Sequence, residues 1–241
     1  LITNLRENKL SLLIVIPTRS RPAQCKRLIK SFEETDAQAD LLFVTDGDDD
    51  SYEGFDWAGH ENAVLSPRSS LSEKLNRSVM NLLDNYDYVG WFADDNVFVT
   101  HHWDDKLIDA LDFIGSGWVY PNNGRRADVP ESWVCTADVV RELGWFANPV
   151  LQHYYLDNSI AELGRRAALI RWVPEVVIEH KHYSVDATTE YDGLYKETES
   201  SYGARDAAAF QAWKASTQIA GDVSRLRRKF NPDVQWALGK V

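Results

Sequence analysis

Residues 88–98 read Tyr-Val-Gly-Trp-Phe-Ala-Asp-Asp-Asn-Val-Phe, so an apolar run ends abruptly in Asp94, Asp95 and Asn96. An apolar run of this length reads as a buried strand. Two neighbouring carboxylates at its end repel each other and lose hydration when enclosed, and something must offset that cost. A hard divalent cation that also takes a phosphate ligand would do so. The plain alternative is a solvated turn, or a cap for the helix starting near Trp103. A second cluster, Pro17-Thr18-Arg19-Ser20-Arg21-Pro22, sets two guanidinium groups and two hydroxyls in one turn. Arginine pairs with phosphate at two points or stacks on a base, although an ordinary surface turn has the same composition. Asp46, in Asp-Gly-Asp-Asp-Asp, could accept a hydrogen bond from a nucleobase or ribose, or cap a turn. Asp157 opens a helical stretch as either a favoured first-turn acid or a general base. His180 and His182 are expected to face opposite sides of an extended segment, which leaves one for the site and excludes a two-histidine metal clamp.

The elements that must hold these residues follow from hydrophobic spacing. Residues 10–16 and 41–45 read as buried strands around a helix at 23–32, a βαβ unit with parallel strands. A short strand at 64–65, a helix at 70–83 and a strand at 88–92 follow. Next come a helix at 103–111, a strand at 115–120, a polar loop at 122–130 and helices at 136–143 and 157–168. Residues 169–173 and 176–178 read as extended. The fold class expected is α/β, an αβα sandwich with a mostly parallel central sheet. Three strand ends carry polar clusters, at Thr18 to Arg21, Asp46 to Asp50 and Asp94 to Asn96, and ligands in such sheets bind beyond the carboxyl ends of the strands. The expected division is a core at 1–185 and, packed on it, a lid loop and helical tail at 186–241. Residues 188–202 hold few aliphatics to anchor them, and residues 207–230 read as one or two helices.

Bulk properties narrow the function. The 241 residues are 44% hydrophobic with a net charge of −11, which argues against a broad nucleic-acid surface. No run of eighteen apolar residues is present, so no membrane span is expected. The first ten residues lack the layout of a signal peptide. Two cysteines give no disulfide framework and no CxxC metal spacing, and a reducing cytoplasm is the expected setting. Neither GxGxxG nor GxxxxGK[ST] occurs, which argues against a dinucleotide site or a P-loop.

In order and spacing, LLIVIPTRSRP, LLFVTDGDDD, SLSEKLNRSV, YVGWFADDNVF and YLDNSIAELGRRAALIRWVPEVVIEHKH resemble a glycosyltransferase of the GT-A fold. The likeness is to the family-2-like group that includes small bacterial and phage enzymes, and it covers residues 10–192. It implies a GT-A-like, Rossmann-like architecture and a nucleotide-sugar donor, a uridine diphosphate sugar first of all. It implies that Pro17, Thr18, Arg19, Arg21 and Asp46 bind the nucleotide, with Arg68, Lys74 and Asn76 near the nucleotide or sugar. Asp94 matches the metal-binding aspartate of the family's DxD motif, which implies Mn2+ or Mg2+ with the donor diphosphate; Asp95 is an extra carboxylate beside it, and His180 stands where many members have a further metal ligand. Asp157 stands where the family has its catalytic base. The acceptor implied is a glycan or other hydroxyl, or a modified base in phage DNA, in which case the setting is the host cytoplasm. The pattern departs from the family at Phe92, where the first DxD aspartate would stand, and at Leu156, where an acid often precedes the base. Two rivals are a nucleotidyltransferase, which would want a glycine-rich loop after the first strand, and a carbohydrate-binding domain that has lost its chemistry.

Overall fold

The computed structural model describes residues 11–184, 186 and 189–231. In chain order the elements are β1 (Leu12–Pro17), α1 (Pro22–Glu33), β2 (Asp40–Asp46), β3 (Glu61–Leu65), α2 (Leu71–Leu82), β4 (Tyr88–Trp91) and β5 (Asn96–Phe98). After them come α3 (Trp103–Ile114), β6 (Trp118–Asn122), β7 (Trp133–Thr136), α4 (Ala137–Leu143), α5 (Leu156–Ala167), β8 (Ile170–His180), α6 (Gly193–Lys214) and α7 (Thr217–Phe230). The strands form one sheet in the order β3-β2-β1-β4-β7-β6-β8-β5. The half from β3 to β4 is parallel, β7 runs against both of its neighbours, and β8 is parallel to β6.

Strand alternation explains the layers. Leu13 and Val15 of β1 point into one apolar cluster, with α2, α4, α5 and α7, whereas Leu12, Ile14 and Ile16 point into the other, with α1 and α3. Both faces of the sheet are therefore covered, which is why the central parallel strand β1 and most of β2 are apolar. The αβα sandwich expected from the sequence is the fold observed.

Three differences from the sequence reading bear on the site. Strands β5 and β7 went unread, because three or four residues are too few to show a period. The two extended pieces at 169–173 and 176–178 are one strand, β8, with an irregularity where Pro121 pairs with Val173 but Asn122 with Val177. That irregularity lets β8 run on past β6 and lie antiparallel to β5, with His180 opposite Asn96. The loop expected at 188–202 is helical from Gly193 onward, and its residue 188 lies outside the described residues. The helix hides from an apolar count because two of its buried residues, Thr198 and Asp206, are polar.

Gly90 fixes the strand that delivers the two aspartates. A Cβ there would lie 2.7 Å from Ile14 Cδ1 and 2.8 Å from the Trp133 carbonyl oxygen, so β4 fits between β1 and β7 only without a side chain. Gly90→Ala should lower the unfolding free energy by about 1–3 kcal/mol in urea titration; an unchanged midpoint would mean that the strand packs less closely than described.

Candidate active site

The turn after β4 is tied down before any ligand is considered. Asn96 Oδ1 accepts hydrogen bonds from the Ala93 amide (2.8 Å) and the Ser132 hydroxyl (3.0 Å), which closes the turn that holds Asp94 and Asp95. Both aspartates are buried, 4% and 2% exposed. They are treated differently. Asp94 accepts from Thr18 Oγ1 at 2.7 Å and from an Arg21 NH group at 3.2 Å, so each of its oxygens has a protein partner. Asp95 faces the other way. Its Oδ2 accepts from the Tyr195 hydroxyl at 2.8 Å, and its Oδ1 lies 3.0 Å from His180 Nε2. That last pair is close enough to attract, yet Asp95 Oδ1 has no aligned hydrogen-bond donor.

Register places His180 there. Its position opposite Asn96, with the Lys181 amide donating to the Asp95 carbonyl (3.0 Å), brings the imidazole against Asp95. Its Nδ1 is 2.9 Å from Glu131 Oε2, and Glu131 also accepts from Asn123 Nδ2 at 2.8 Å and pairs with Arg125 at 3.1 Å. Burial opposes a charge on His180, but Asp95 and Glu131 outweigh it and push its pKa up to about 10. The same ring holds Asp95 well below the usual carboxylate range against the effect of burial, whereas burial, opposed by Arg21, raises Asp94. Glu131 could not be read from the sequence: it follows a loop and takes its meaning only from the fold.

The expected divergence of His180 and His182 is corrected. Side chains two apart on an extended segment share a face, the two rings lie 5.5 Å apart, and both line the cavity. They differ in charge: burial, then the neighbouring His180, lowers the His182 pKa to about 4.

The cavity measures about 620 Å³. Of the residues singled out in the sequence, Pro17, Thr18, Arg19, Arg21, Arg68, Lys74, Asp94, Asp95, Asp157 and His180 line it. Two do not. Asn76 spends its amide on the Phe146 and Ala147 backbone, at 2.7–3.0 Å, and so secures a turn. Asp46 sits behind the wall, where it accepts from Lys74 Nζ (2.6 Å) and Arg19 (3.2 Å) and holds those cations toward the cavity. Trp118, Trp133 and Trp145 are core residues, whereas Trp91 and Tyr154 line the cavity.

Helix α6 supplies partners the sequence did not suggest. Asp192, its N-cap, accepts from Arg21 Nε and NH2 at 2.8 and 3.1 Å, and the Arg21 guanidinium lies 4.2 Å from the centre of the Tyr195 ring. Glu197 pairs with Arg68 at 2.7 Å. Two cationic groups of the cavity are thus matched by acids from one helix.

Asp157 is half-buried at the first turn of α5, after Tyr155 in a left-handed conformation (φ 64°). It accepts from the Asn158 amide at 2.7 Å. A place in the first turn of a helix would by itself lower its pKa. Instead burial dominates and, with Glu131 nearby, pushes it up to about 6, against the pull of that amide, Arg126 and His180. Desolvation of the carboxylate outweighs a helix dipole, whose effect is typically a few tenths to one kcal/mol.

Among the described residues no three His, Cys, Asp or Glu side chains are gathered as a ready-made cation site. Asp95 Oδ1 and His180 Nε2 would fit one once the ring gives up its Nε2 proton: a buried carboxylate oxygen and a ring nitrogen face each other at 3.0 Å, and Glu131 orients the far side of the ring as a carboxylate does behind a metal-bound histidine. Mg2+-type ions are commonly held by one or two protein groups plus substrate phosphates.

The αβα sandwich, with cations and paired carboxylates at one edge of its mixed sheet, has counterparts among solved structures only. No family model matches the chain, and no curated protein matches it in sequence. Solved structures do match. A mannosyltransferase, PcManGT from Pyrobaculum calidifontis in complex with GDP-Man and Mn2+, aligns with 97% of this chain and 73% of its own, at a TM-score of 0.61 and 14% identity. TarS 1–349 from S. aureus, in complex with UDP-GlcNAc, aligns with 96% and 77%, at 0.53 and 13%; against a longer TarS chain the share covered is 46%. Glucosyl-3-phosphoglycerate synthase from Mycobacterium tuberculosis, with Mn2+, UDP and its product, aligns with 72% of each chain at 0.52 and 15%. Identities this low speak for the GT-A fold alone.

The raised Asp157 is directly measurable. Carbon-detected NMR titration of labelled carboxyl groups should find its midpoint near 6. A midpoint near the ordinary aspartate value of about 3.9 would show that the group is more hydrated than its surroundings imply.

Proposed function

We propose that this chain is a metal-dependent, inverting glycosyltransferase, taking a sugar from a nucleotide-diphosphate donor, a uridine diphosphate sugar first of all, to a hydroxyl of a glycan or other acceptor. The observation that carries the reading is the division of the carboxylate pair, with Asp94 committed to Arg21 and Thr18 and Asp95 turned to His180. The fold neighbours with nucleotide sugars or Mn2+ in their structures support the same reading.

Roles follow from the geometry. Asp95 and His180 would hold a divalent cation; Asp94, the ligand expected from the motif, keeps Arg21 in place instead. When bound, the cation would offset charge on the leaving diphosphate. Arg19, Arg21, Arg68 and Lys74 line the same cavity as the fixed positive charges for that group. Arg21 would exchange the Asp192 carboxylate for phosphate oxygens, which present similar two-point geometry. Asp157 would take the proton from the acceptor hydroxyl. A base with a pKa near 6 is ionised at neutral pH and still basic enough to accept a proton in the transition state. Glu131 is less suited, being already engaged by His180, Asn123 and Arg125.

A DNA base as acceptor finds no support. The basic run at 225–229 lies on α7 and is largely engaged within the protein: Arg225 bonds Asp222 and the Glu142 carbonyl, Arg227 the Arg166 carbonyl, Arg228 the Ser224 hydroxyl, and Lys229 Glu142. No described helix is long and apolar enough to cross a membrane.

Two outcomes test the reading. In calorimetry, binding of a uridine diphosphate sugar should depend on Mn2+, and Asp95→Asn or His180→Ala should remove that dependence while His182→Ala keeps it; Mn2+-independent binding in the parent would contradict the proposed site. In turnover assays the rate should rise with pH through about 6, because Asp157 must lose its proton to act. Asp157→Asn should erase that rise and cut turnover about 10²-fold while leaving donor affinity intact. An Asn variant as fast as the parent would leave Asp157 as a helix-terminus residue only.

A further inference from the structure

Asp206 carries a full carboxylate at zero exposure, in the middle of α6 and outside the cavity. A charge so placed is costly unless it is hydrogen-bonded. Its partners are three successive backbone amides: Gln152 N at 3.2 Å from both oxygens, and His153 N and Tyr154 N at 2.8 and 2.9 Å from Oδ2. Successive amides that converge in this way form an anion-binding concavity. Here the anion is supplied from within the chain.

Those amides belong to the segment that enters α5, the helix whose first turn bears Asp157. The same face of α6 grips that segment at every fourth residue. Thr198 Oγ1 lies 3.2 Å from the Tyr154 hydroxyl, Tyr202 stacks on His153 with ring centres 6.0 Å apart, and Phe210 stacks on Tyr155 at 5.2 Å. Positions 198, 202, 206 and 210 recur at the spacing that shares one helix face. From the other side, the Ser72 amide donates to the Gln152 carbonyl at 3.1 Å. Tyr155, the last residue before α5, is held at a positive φ that an L-residue adopts only under constraint.

We infer that Asp206 is a positioning residue for Asp157: its carboxylate, by binding the three amides, sets the orientation in which the first turn of α5 presents Asp157 to the cavity. The inference rests on the proposed glycosyl transfer, in which Asp157 touches the reacting hydroxyl. Asp206 itself touches neither substrate nor cation. Its replacement should therefore affect the reaction and not the binding of donor, whose cationic partners sit on other elements.

Asp206→Asn is nearly isosteric and can keep an oxygen at the Oδ2 place, but it removes the negative charge that the three amides share and sets an NH2 group against the Gln152 amide. Amide exchange at 152–154 should accelerate at least about tenfold in this variant, with β1 and β4 unchanged. Donor affinity with Mn2+ should stay within about twofold, whereas turnover per folded molecule should fall by about 10²-fold, the scale expected when a catalytic group is displaced by an ångström. The deciding readout is a double-mutant cycle. Asp206→Asn combined with Asp157→Asn should be no slower than Asp157→Asn alone, because the carboxylate being positioned is already gone. Additive losses, a parallel loss of donor affinity, or unchanged turnover would overturn the inference. So would unchanged exchange at 152–154. Asp206→Ser, which leaves room for a water, is the second variant; if neither folds, Asp206 is a folding determinant and the positioning role falls. A parent protein inactive with every nucleotide sugar would instead overturn the glycosyl-transfer reading and this inference with it, whereas an active parent with an additive cycle overturns this inference alone.

Discussion

Two adjacent carboxylates cannot be buried side by side unless each is answered separately. At an effective dielectric of 20, like charges 4 Å apart repel by ~4 kcal/mol, comparable to the whole stability margin of many domains. The chain resolves this by geometry. Asp94 turns to Arg21 and Thr18 on the first strand's turn, and Asp95 turns to His180 on the last strand. Both ends of the sheet's sequence are therefore needed to make the centre of the site tolerable. The β8 irregularity that carries His180 past β6 and the glycine that lets β4 approach its neighbours both serve that arrangement.

A second layer of compensation comes from α6. Asp192 and Glu197 neutralise Arg21 and Arg68, and Tyr195 spans Arg21 and Asp95. These contacts sit where a diphosphate would be expected, so donor binding on this account is an exchange of partners and not the filling of a void. Such exchange suits a site that must hold strong charges without collapsing, because each arginine has an acid when the donor is absent. Farther along the same helix, Asp206 does for a backbone turn what Asp192 does for Arg21.

The sandwich, the parallel half of its sheet and the convergence of three strand ends were legible in the sequence, because apolar runs such as 12–16 and 41–45 can only be buried strands. Ten of the candidate residues also line the cavity, most of them at or just past the end of a strand. What could not be read depends on register and burial. Glu131 and Asp192 gain their roles from partners 49 and 171 residues away. Asn76 looks like a ligand-binding amide, yet its turn at 146–147 takes all of it. Asp157 has the local signature of a helix terminus, which argues for a low pKa, and only the fold reveals the burial that reverses the sign. The first half of helix α6 reads as a loop for the same reason that it matters: its buried position there is Thr198, a polar residue that lines the cavity, whereas the half from residue 207 reads as helix.

By the proposed roles the two aspartates have different partners and different tasks, Asp95 on the cation and Asp94 on Arg21. Anomalous diffraction from crystals grown with Mn2+ and uridine diphosphate would separate these roles. A single manganese peak bounded by Asp95 and His180 is expected, with Asp94 still paired to Thr18 and Arg21 moved from Asp192 onto phosphate. A peak ligated by Asp94 with Asp95 left on His180, or a nucleotide bound with Arg21 still on Asp192, would contradict them.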